Sequence, residues 1–137
     1  MPKKKNHYIV VAGATGGIGK AVVQLLAQYN THIIAVDLHK KKLEKLCDEV
    51  EKTGGSCSFY VADLSIQQQV KKLGLKIQKK FKSIDWVVHA IGYIDSKDSI
   101  ESARVIEKTF NTNVFSAFYV IESFGTILKA GGVFISS

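Results

Sequence analysis

The chain has 137 residues, of which 46% are hydrophobic, and its formal net charge at pH 7 is +7. This length and this apolar content are typical of a single domain with a buried core, here residues 1–137, and they exclude a disordered chain. No apolar run is long enough to span a membrane, and residues 1–7 lack the apolar region of a signal peptide, so we expect a cytoplasmic domain.

The positive charge comes mainly from lysines that are grouped in short clusters. A nucleic-acid interface is usually one concentrated basic patch, whereas these clusters lie on separate predicted elements and contain no arginine. The pattern therefore predicts solvated faces and no nucleic-acid partner. The clusters are residues 3–5, residues 40–42, residues 71–72, and Lys79, Lys80 and Lys82.

Strand and helix patterns alternate along the chain. Short apolar runs predict five buried strands, at residues 8–12, 32–36, 56–62, 84–90 and 133–136. Apolar residues at helical spacing predict four helices between these strands. The first covers residues 18–28, the second has Leu43, Leu46, Cys47 and Val50 on one face, the third has an apolar stripe from Ile66 to Phe81, and the fourth runs from Ala103 to Lys129.

This alternation determines the expected fold. It implies right-handed crossovers and a parallel sheet that is covered by helices on both faces. We therefore expect a doubly wound α/β fold of Rossmann type with strand order 3-2-1-4-5. In such a sheet a ligand lies at the carboxyl ends of the strands, near the switch point between strands 1 and 4.

The turn between the first strand and the first helix is rich in glycine. Gly13 allows a tight turn, Gly17 leaves room for a pyrophosphate beside the backbone, and Gly19 allows close helix packing. The helix N-terminus offers unpaired N–H groups and a partial positive charge to phosphates. Because the glycine spacing fits the general dinucleotide fingerprint only loosely, the interpretation also depends on the flanking strand, the helix and Asp37.

Asp37 ends the second predicted strand, about one βα unit after the glycines. A carboxylate at this place accepts hydrogen bonds from the adenosine ribose and repels a 2′-phosphate, which favours NAD over NADP. Two alternatives stay open: Asp37 is a solvent-exposed turn residue, or Lys40 to Lys42 partly neutralise a 2′-phosphate.

Three local features follow further along the chain. Ser65 and Gln68 have the spacing of a capping box, so we expect Ser65 to cap the third helix and to leave Asp63 free for a ligand. The alternative is that Asp63 itself caps the helix. Gly74 is expected to weaken this helix slightly.

The two cysteines, Cys47 and Cys57, fall in a predicted helix and a predicted strand. Their spacing matches no metal-binding motif, and no metal site is predicted. We expect both to be reduced thiols in the core.

Several segments together resemble the short-chain dehydrogenase/reductase family, in the family's order and at its spacing. Residues 12–19 are similar to its Thr-Gly-x-x-x-Gly-Ile-Gly loop, with Ala12 in place of the threonine. Asp63-Leu64 resembles its adenine-binding pair. Residues 85–92 resemble its Asp-x-x-Val-Asn-Asn-Ala-Gly segment, with His89 and Ala90 in place of the asparagines. The resemblance implies a cofactor site formed by Gly13, Thr15, Gly17, Ile18, Gly19, Asp37, Leu38, Asp63, Leu64, Ala90 and Gly92.

The same resemblance suggests catalytic residues. Residues 110–115 are similar to the segment whose asparagine, here Asn113, helps to hold the active-site lysine and a water. Residues 131–137 resemble the strand that ends in the catalytic serine, here Ser137. The activity implied is hydride transfer between a nicotinamide and a small alcohol or carbonyl substrate.

The family's Tyr-x-x-x-Lys pair would follow Ser137. Tyr93 and Lys97 have this spacing, but they follow the fourth strand in a predicted loop, where no shared helical face brings them together. His89 is a further candidate acid or base.

Two functions remain open from the sequence. One is an NAD-dependent oxidoreductase of which this chain is the N-terminal portion, and the other is a dinucleotide-binding module without turnover. The long helix from Ala103 to Lys129 is apolar on more than one face, which predicts a homo-oligomer formed through this helix.

Overall fold

A computed structural model describes residues 7–92 and 103–136 of the chain. Strands and helices alternate within them, as the sequence predicts. None of the helices described is long and apolar enough to cross a membrane. In chain order the elements are β1 (His7–Ala12), α1 (Gly17–Leu26), β2 (Thr31–Asp37), α2 (Lys40–Lys52), β3 (Ser56–Val61), α3 (Gln67–Phe81), β4 (Ile84–His89), α4 (Ala103–Phe110), a π turn (Asn111–Phe115), α5 (Ser116–Phe124) and β5 (Leu128–Ser136).

The five strands form one parallel sheet in the order β3-β2-β1-β4-β5, which confirms the predicted topology. Ala12 pairs in register with Val36 on one side and with His89 on the other. Asp37 pairs with Val61. The carboxyl ends of β1 to β4 therefore lie along one edge of the sheet, and the turns that follow them meet there.

Helices cover both faces of the sheet, which explains why the strands are apolar at consecutive positions. On one face, Val10 belongs to a buried cluster with Val70 of α3 and Phe124 of α5. On the other face, Val11 belongs to a cluster with Val23 of α1 and Leu43 of α2. Since successive strand residues point to opposite faces, the central strand β1 is buried on both of its faces from Ile9 to Ala12.

The expectation of reduced thiols is wrong. Cys47 of α2 and Cys57 of β3 form a disulfide, with their Cα atoms 5.2 Å apart. Gly54, with a φ of +87°, reverses the chain between the two elements. The helix then packs back on the strand, and this brings together two cysteines that are 10 residues apart.

The prediction of one continuous helix from Ala103 to Lys129 is also wrong. The helical segment contains a π turn and ends at Phe124. Gly125 closes it, with its N–H donating to the Ile121 carbonyl oxygen at 2.8 Å. Lys129 lies in a strand, because β5 begins well before the predicted residue 133.

The first part of β5 pairs irregularly with β4. The register shifts between the pairs Ile84–Leu128 and Trp86–Val133, so the β5 side has the longer run of residues. Gly131 and Gly132, which directly precede the strand predicted at residues 133–136, lie within this irregular stretch. Glycines in a strand often mark such a bulge.

Gly74 has a packing role that the sequence prediction missed. A Cβ at this position would lie 3.0 Å from the Ser123 carbonyl oxygen of α5. The glycine therefore permits close contact between α3 and α5, and this contact offsets its low helix propensity.

Candidate functional site

The glycine-rich turn after β1 lies where three strands end. Gly13 has a φ of +82°, and a Cβ there would come within 2.7 Å of the Ala90 carbonyl oxygen that follows β4. The Gly13 N–H donates to the Val36 carbonyl oxygen at 2.8 Å. Gly13 thus turns the chain in the crevice between β2 and β4, and its predicted role in a tight turn is confirmed.

Gly19 and Gly17 have different surroundings. A Cβ at Gly19 would overlap the Gly13 carbonyl oxygen, so Gly19 allows α1 to pack against the turn. A Cβ at Gly17 would meet no atom within 4 Å. The N-cap of α1 is Gly16, which has no side chain to accept the N–H groups of the first helical turn. These N–H groups and the open surface at Gly17 fit an anion such as a phosphate.

Asp37 is half-buried at the end of β2 and fastens the glycine turn. Its Oδ2 accepts hydrogen bonds from the Thr15 backbone N–H at 3.0 Å and from the Thr15 hydroxyl at 2.6 Å. Its Oδ1 accepts one from the Leu38 N–H at 2.7 Å. An ionised carboxylate offers about four acceptor positions. Asp37 is therefore more than a solvent-exposed turn residue, and it retains some acceptor capacity for a ligand.

The predicted capping box at the start of α3 is wrong. Helix α3 begins at Gln67, and its N-cap residue Ile66 forms no side-chain cap. Asp63 Oδ1 instead accepts hydrogen bonds from the Ser65 N–H at 3.0 Å and from the Ser65 hydroxyl at 2.6 Å. Ser65 is therefore occupied by Asp63, and the expectation that Asp63 is left free is wrong for this oxygen.

A cavity of about 610 Å³ lies at this carboxyl edge. This volume is in the usual range for small-molecule and cofactor sites. Five of the sequence-predicted site residues line it, namely Gly13, Asp37, Leu38, Asp63 and Leu64. Leu64 is buried in the core, whereas Leu38 is exposed.

Helix α4 and the π turn after it supply most of the cavity lining that the sequence did not predict. Five residues of this segment line the cavity, namely Arg104, Glu107, Lys108, Asn111 and Thr112. Their spacing places them on one helical face, so a polar stripe at helical spacing was the available signal. The other lining residues that the sequence analysis missed are Ala62, Ser65 and Ile91.

The remaining predicted cofactor residues lie outside this cavity lining. Thr15, Gly17, Ile18 and Gly19 belong to the glycine turn and the start of α1, and Ile18 is exposed. Ala90 and Gly92 follow β4, where the Ala90 N–H donates to the Ala12 carbonyl oxygen at 2.8 Å. A Cβ at Gly92 would meet no atom within 4 Å.

The predicted catalytic residues are placed only in part. Asn113 is half-buried in the π turn and does not line the cavity. Ser137, Tyr93 and Lys97 lie outside the described residues. Single π turns within α-helices are frequent at functional sites.

His89 ends β4 beside this π turn and is 1% exposed. Its Nε2 lies 2.9 Å from the Ser116 Oγ. Burial lowers the pKa of the imidazole below its usual value, and a backbone hydrogen bond opposes this effect only in part. His89 is therefore neutral near pH 7.

Across residues 7–92 and 103–136, no group of three or more His, Cys, Asp and Glu side chains could hold a metal ion.

Residues 7–137 match a family model described as short chain dehydrogenase. The chain is 26% identical, over 129 residues, to estradiol 17-beta-dehydrogenase 11 of Mus musculus. The aligned region covers 90% of this chain and 43% of that protein. The chain thus spans less than half the length of this relative.

Solved structures show the same fold. A 7 alpha-hydroxysteroid dehydrogenase complexed with NADH and 7-oxo glycochenodeoxycholic acid matches 96% of this chain and 52% of its own, with a TM-score of 0.87 and 20% identity. A short chain dehydrogenase from Burkholderia cenocepacia J2315 in complex with NADP matches 95% of this chain and 54% of its own, with a TM-score of 0.86 and 20% identity.

Proposed function

This chain belongs to the short-chain dehydrogenase family, and on that premise we propose that it forms the cofactor-binding part of an oxidoreductase. The reaction proposed is hydride transfer between a nicotinamide cofactor and the alcohol or carbonyl carbon of a small molecule. The observation that carries the proposal is the cavity at the carboxyl edge of the sheet, which Gly13, Asp37 and Asp63 line together.

The residues of this edge fit a dinucleotide in three ways. The uncapped N-terminus of α1 and the open backbone at Gly17 suit the pyrophosphate. The remaining acceptor capacity of Asp37 suits a ribose hydroxyl, and Leu38 and Leu64 offer apolar contacts to the adenine. The proposed site is completed by Thr15, Ile18, Gly19, Asp63, Ala90 and Gly92.

Asn113 and Ser137 are the proposed catalytic residues. The nicotinamide, when bound, accepts or supplies the hydride.

We also propose that copies of the protein associate through the segment from α4 to α5. Phe115, Phe118 and Ile121 expose large apolar side chains on this segment.

We propose NAD as the preferred cofactor. The Asp37 carboxylate repels a 2′-phosphate. Lys40, one of the lysines that could neutralise such a phosphate, forms an ion pair with Glu44 instead, with its Nζ 3.8 Å from the Glu44 Oε1. The solved relatives carry NADH in one case and NADP in the other. The preference therefore depends on this chain's own carboxylate.

Titration of the protein with NADH and NADPH, followed by nicotinamide fluorescence, tests the proposal. We expect NADH to bind more tightly than NADPH. Asp37→Asn should weaken NADH binding about tenfold, because it replaces a charged acceptor, and should reduce the preference for NADH. Asp48→Asn removes the same charge from an exposed position on α2 outside this cavity and should change neither affinity.

Three results would count against the assignments. Tighter binding of NADPH by the wild-type protein would overturn the NAD preference. Equal effects of the two substitutions would remove Asp37 from the site. Absence of binding by either nucleotide would overturn the proposed function.

A further inference from the structure

His89 lies at the end of β4, where its backbone pairs in register with Ala12 of β1 and Ser136 of β5. An imidazole that is 1% exposed needs hydrogen-bond partners inside the protein. Its partner on α5 is the buried Ser116, whose Oγ lies 2.9 Å from the His89 Nε2. A polar contact between the sheet and the helix therefore lies within the apolar core.

The hydrogens of this contact can be assigned from Ser116. The Ser116 hydroxyl donates to the Thr112 carbonyl oxygen. Since a serine hydroxyl has a single hydrogen, Ser116 Oγ must accept from His89, so the imidazole carries its proton on Nε2. The lowered pKa of the buried imidazole agrees with this neutral form.

The chain of hydrogen bonds ends inside the π turn. In an α-helix the Thr112 carbonyl would accept the N–H of the residue four positions later, whereas a π turn moves this partner one residue further along the chain. The Ser116 hydroxyl donates to the Thr112 carbonyl in this wider turn. Asn113 directly follows Thr112, so its position depends on the register of the turn.

We propose that His89 is a positioning residue: through the Ser116 hydroxyl it holds the π turn in its register and so fixes the position of Asn113 within that turn. His89 stands where the resembling family segment has an asparagine, and its longer side chain brings Nε2 to Ser116. The proposal rests on the proposed function for the role of Asn113. The hydrogen-bond chain itself does not depend on that role.

Three substitutions separate the donor from the bulk of the side chain. His89→Gln places an amide nitrogen at the same distance along the side chain as Nε2 and keeps a donor there. His89→Met has a similar length and no donor. Ser116→Ala removes the hydroxyl that links His89 to Thr112.

Hydrogen exchange of the backbone amides at residues 111–116 is the first measurement, made on the full protein. We expect exchange about tenfold faster in His89→Met and in Ser116→Ala, because each loses one buried hydrogen bond. His89→Gln should exchange at nearly the wild-type rate, and the double variant no faster than either single one. Amides of β2 should be unchanged in all variants, which serves as the control for folding.

Steady-state kinetics is the second measurement. His89→Met should lower kcat about tenfold with little change in KM for the cofactor, and His89→Gln should restore kcat. A wild-type exchange rate in His89→Met would overturn the proposal. An equal rise in exchange rate, or an equal loss of kcat, in His89→Gln and His89→Met would also overturn it. If the wild-type protein turns over no alcohol or carbonyl substrate, the proposed function fails, whereas the exchange measurement still decides whether His89 holds the turn.

Discussion

The turn after β1 and the turn beside β4 form the same edge of the sheet, but different interactions hold them. At Gly13 and Gly19 the backbone itself is packed so closely that a side chain would collide. Beside β4, the side chains of His89 and Ser116 hold a helix in an unusual register. The first arrangement requires that residues 13 and 19 have no Cβ, so it tolerates little substitution. The second depends on the His89 imidazole, which is a titratable hydrogen-bond donor.

The largest effect that we expect comes from Gly19→Ala. Its Cβ would overlap the Gly13 carbonyl oxygen, and backbone cannot move aside as a flexible side chain can. We expect a loss of about 3 kcal/mol in the free energy of unfolding, measured by denaturant titration. Gly17→Ala is the matched control. Its Cβ meets nothing within 4 Å, so stability should be nearly unchanged while NADH binding weakens.

Equal stability of Gly19→Ala and Gly17→Ala would contradict the view that the glycine turn is held by backbone contact. Unchanged NADH affinity in Gly17→Ala would show instead that the pyrophosphate does not approach this helix N-terminus. The two variants thus separate the packing role of the turn from its proposed binding role.

A smaller effect is expected at the β4 side when the pH falls. Burial lowers the pKa of folded His89 below the usual value of 6.5, so the unfolded chain binds more protons than the folded chain as the pH falls through this value. The contribution of neutral His89 is therefore fully present above about pH 6.5 and decreases below it. Each unit of difference between the two pKa values corresponds to about 1.4 kcal/mol.

Comparison of the wild-type protein with His89→Gln checks this prediction, because glutamine does not titrate. Between pH 7 and pH 5, the free energy of unfolding should fall more in the wild-type protein than in the variant. Parallel pH profiles for the two proteins would show that His89 protonation does not control this region.

The predictable parts of the fold are those that local pattern determines. The apolar face of α2, with Leu43 and Val50 buried, follows from helical spacing alone. The strand order follows from the alternation of strands and helices. Gly13 could be placed because a positive φ and a close approach both demand glycine.

The parts that the sequence did not predict depend on contacts between distant residues. The apolar spacing after Ala103 shows neither the π turn nor the end of α5, because the apolar pattern continues into β5. The Cys47–Cys57 disulfide requires α2 to pack back on β3. Asp63 accepts hydrogen bonds from Ser65, although the spacing of Ser65 and Gln68 had predicted a different partner.

The central claim is that a dinucleotide binds along the carboxyl edge, between the glycine turn and the two carboxylates. Hydrogen exchange of the protein with and without saturating NADH tests it most directly. We predict slower exchange at residues 13–19, 37–38 and 63–65, with no change near the disulfide at Cys47 and Cys57. Protection confined to other segments, or none at saturating NADH, would contradict the account.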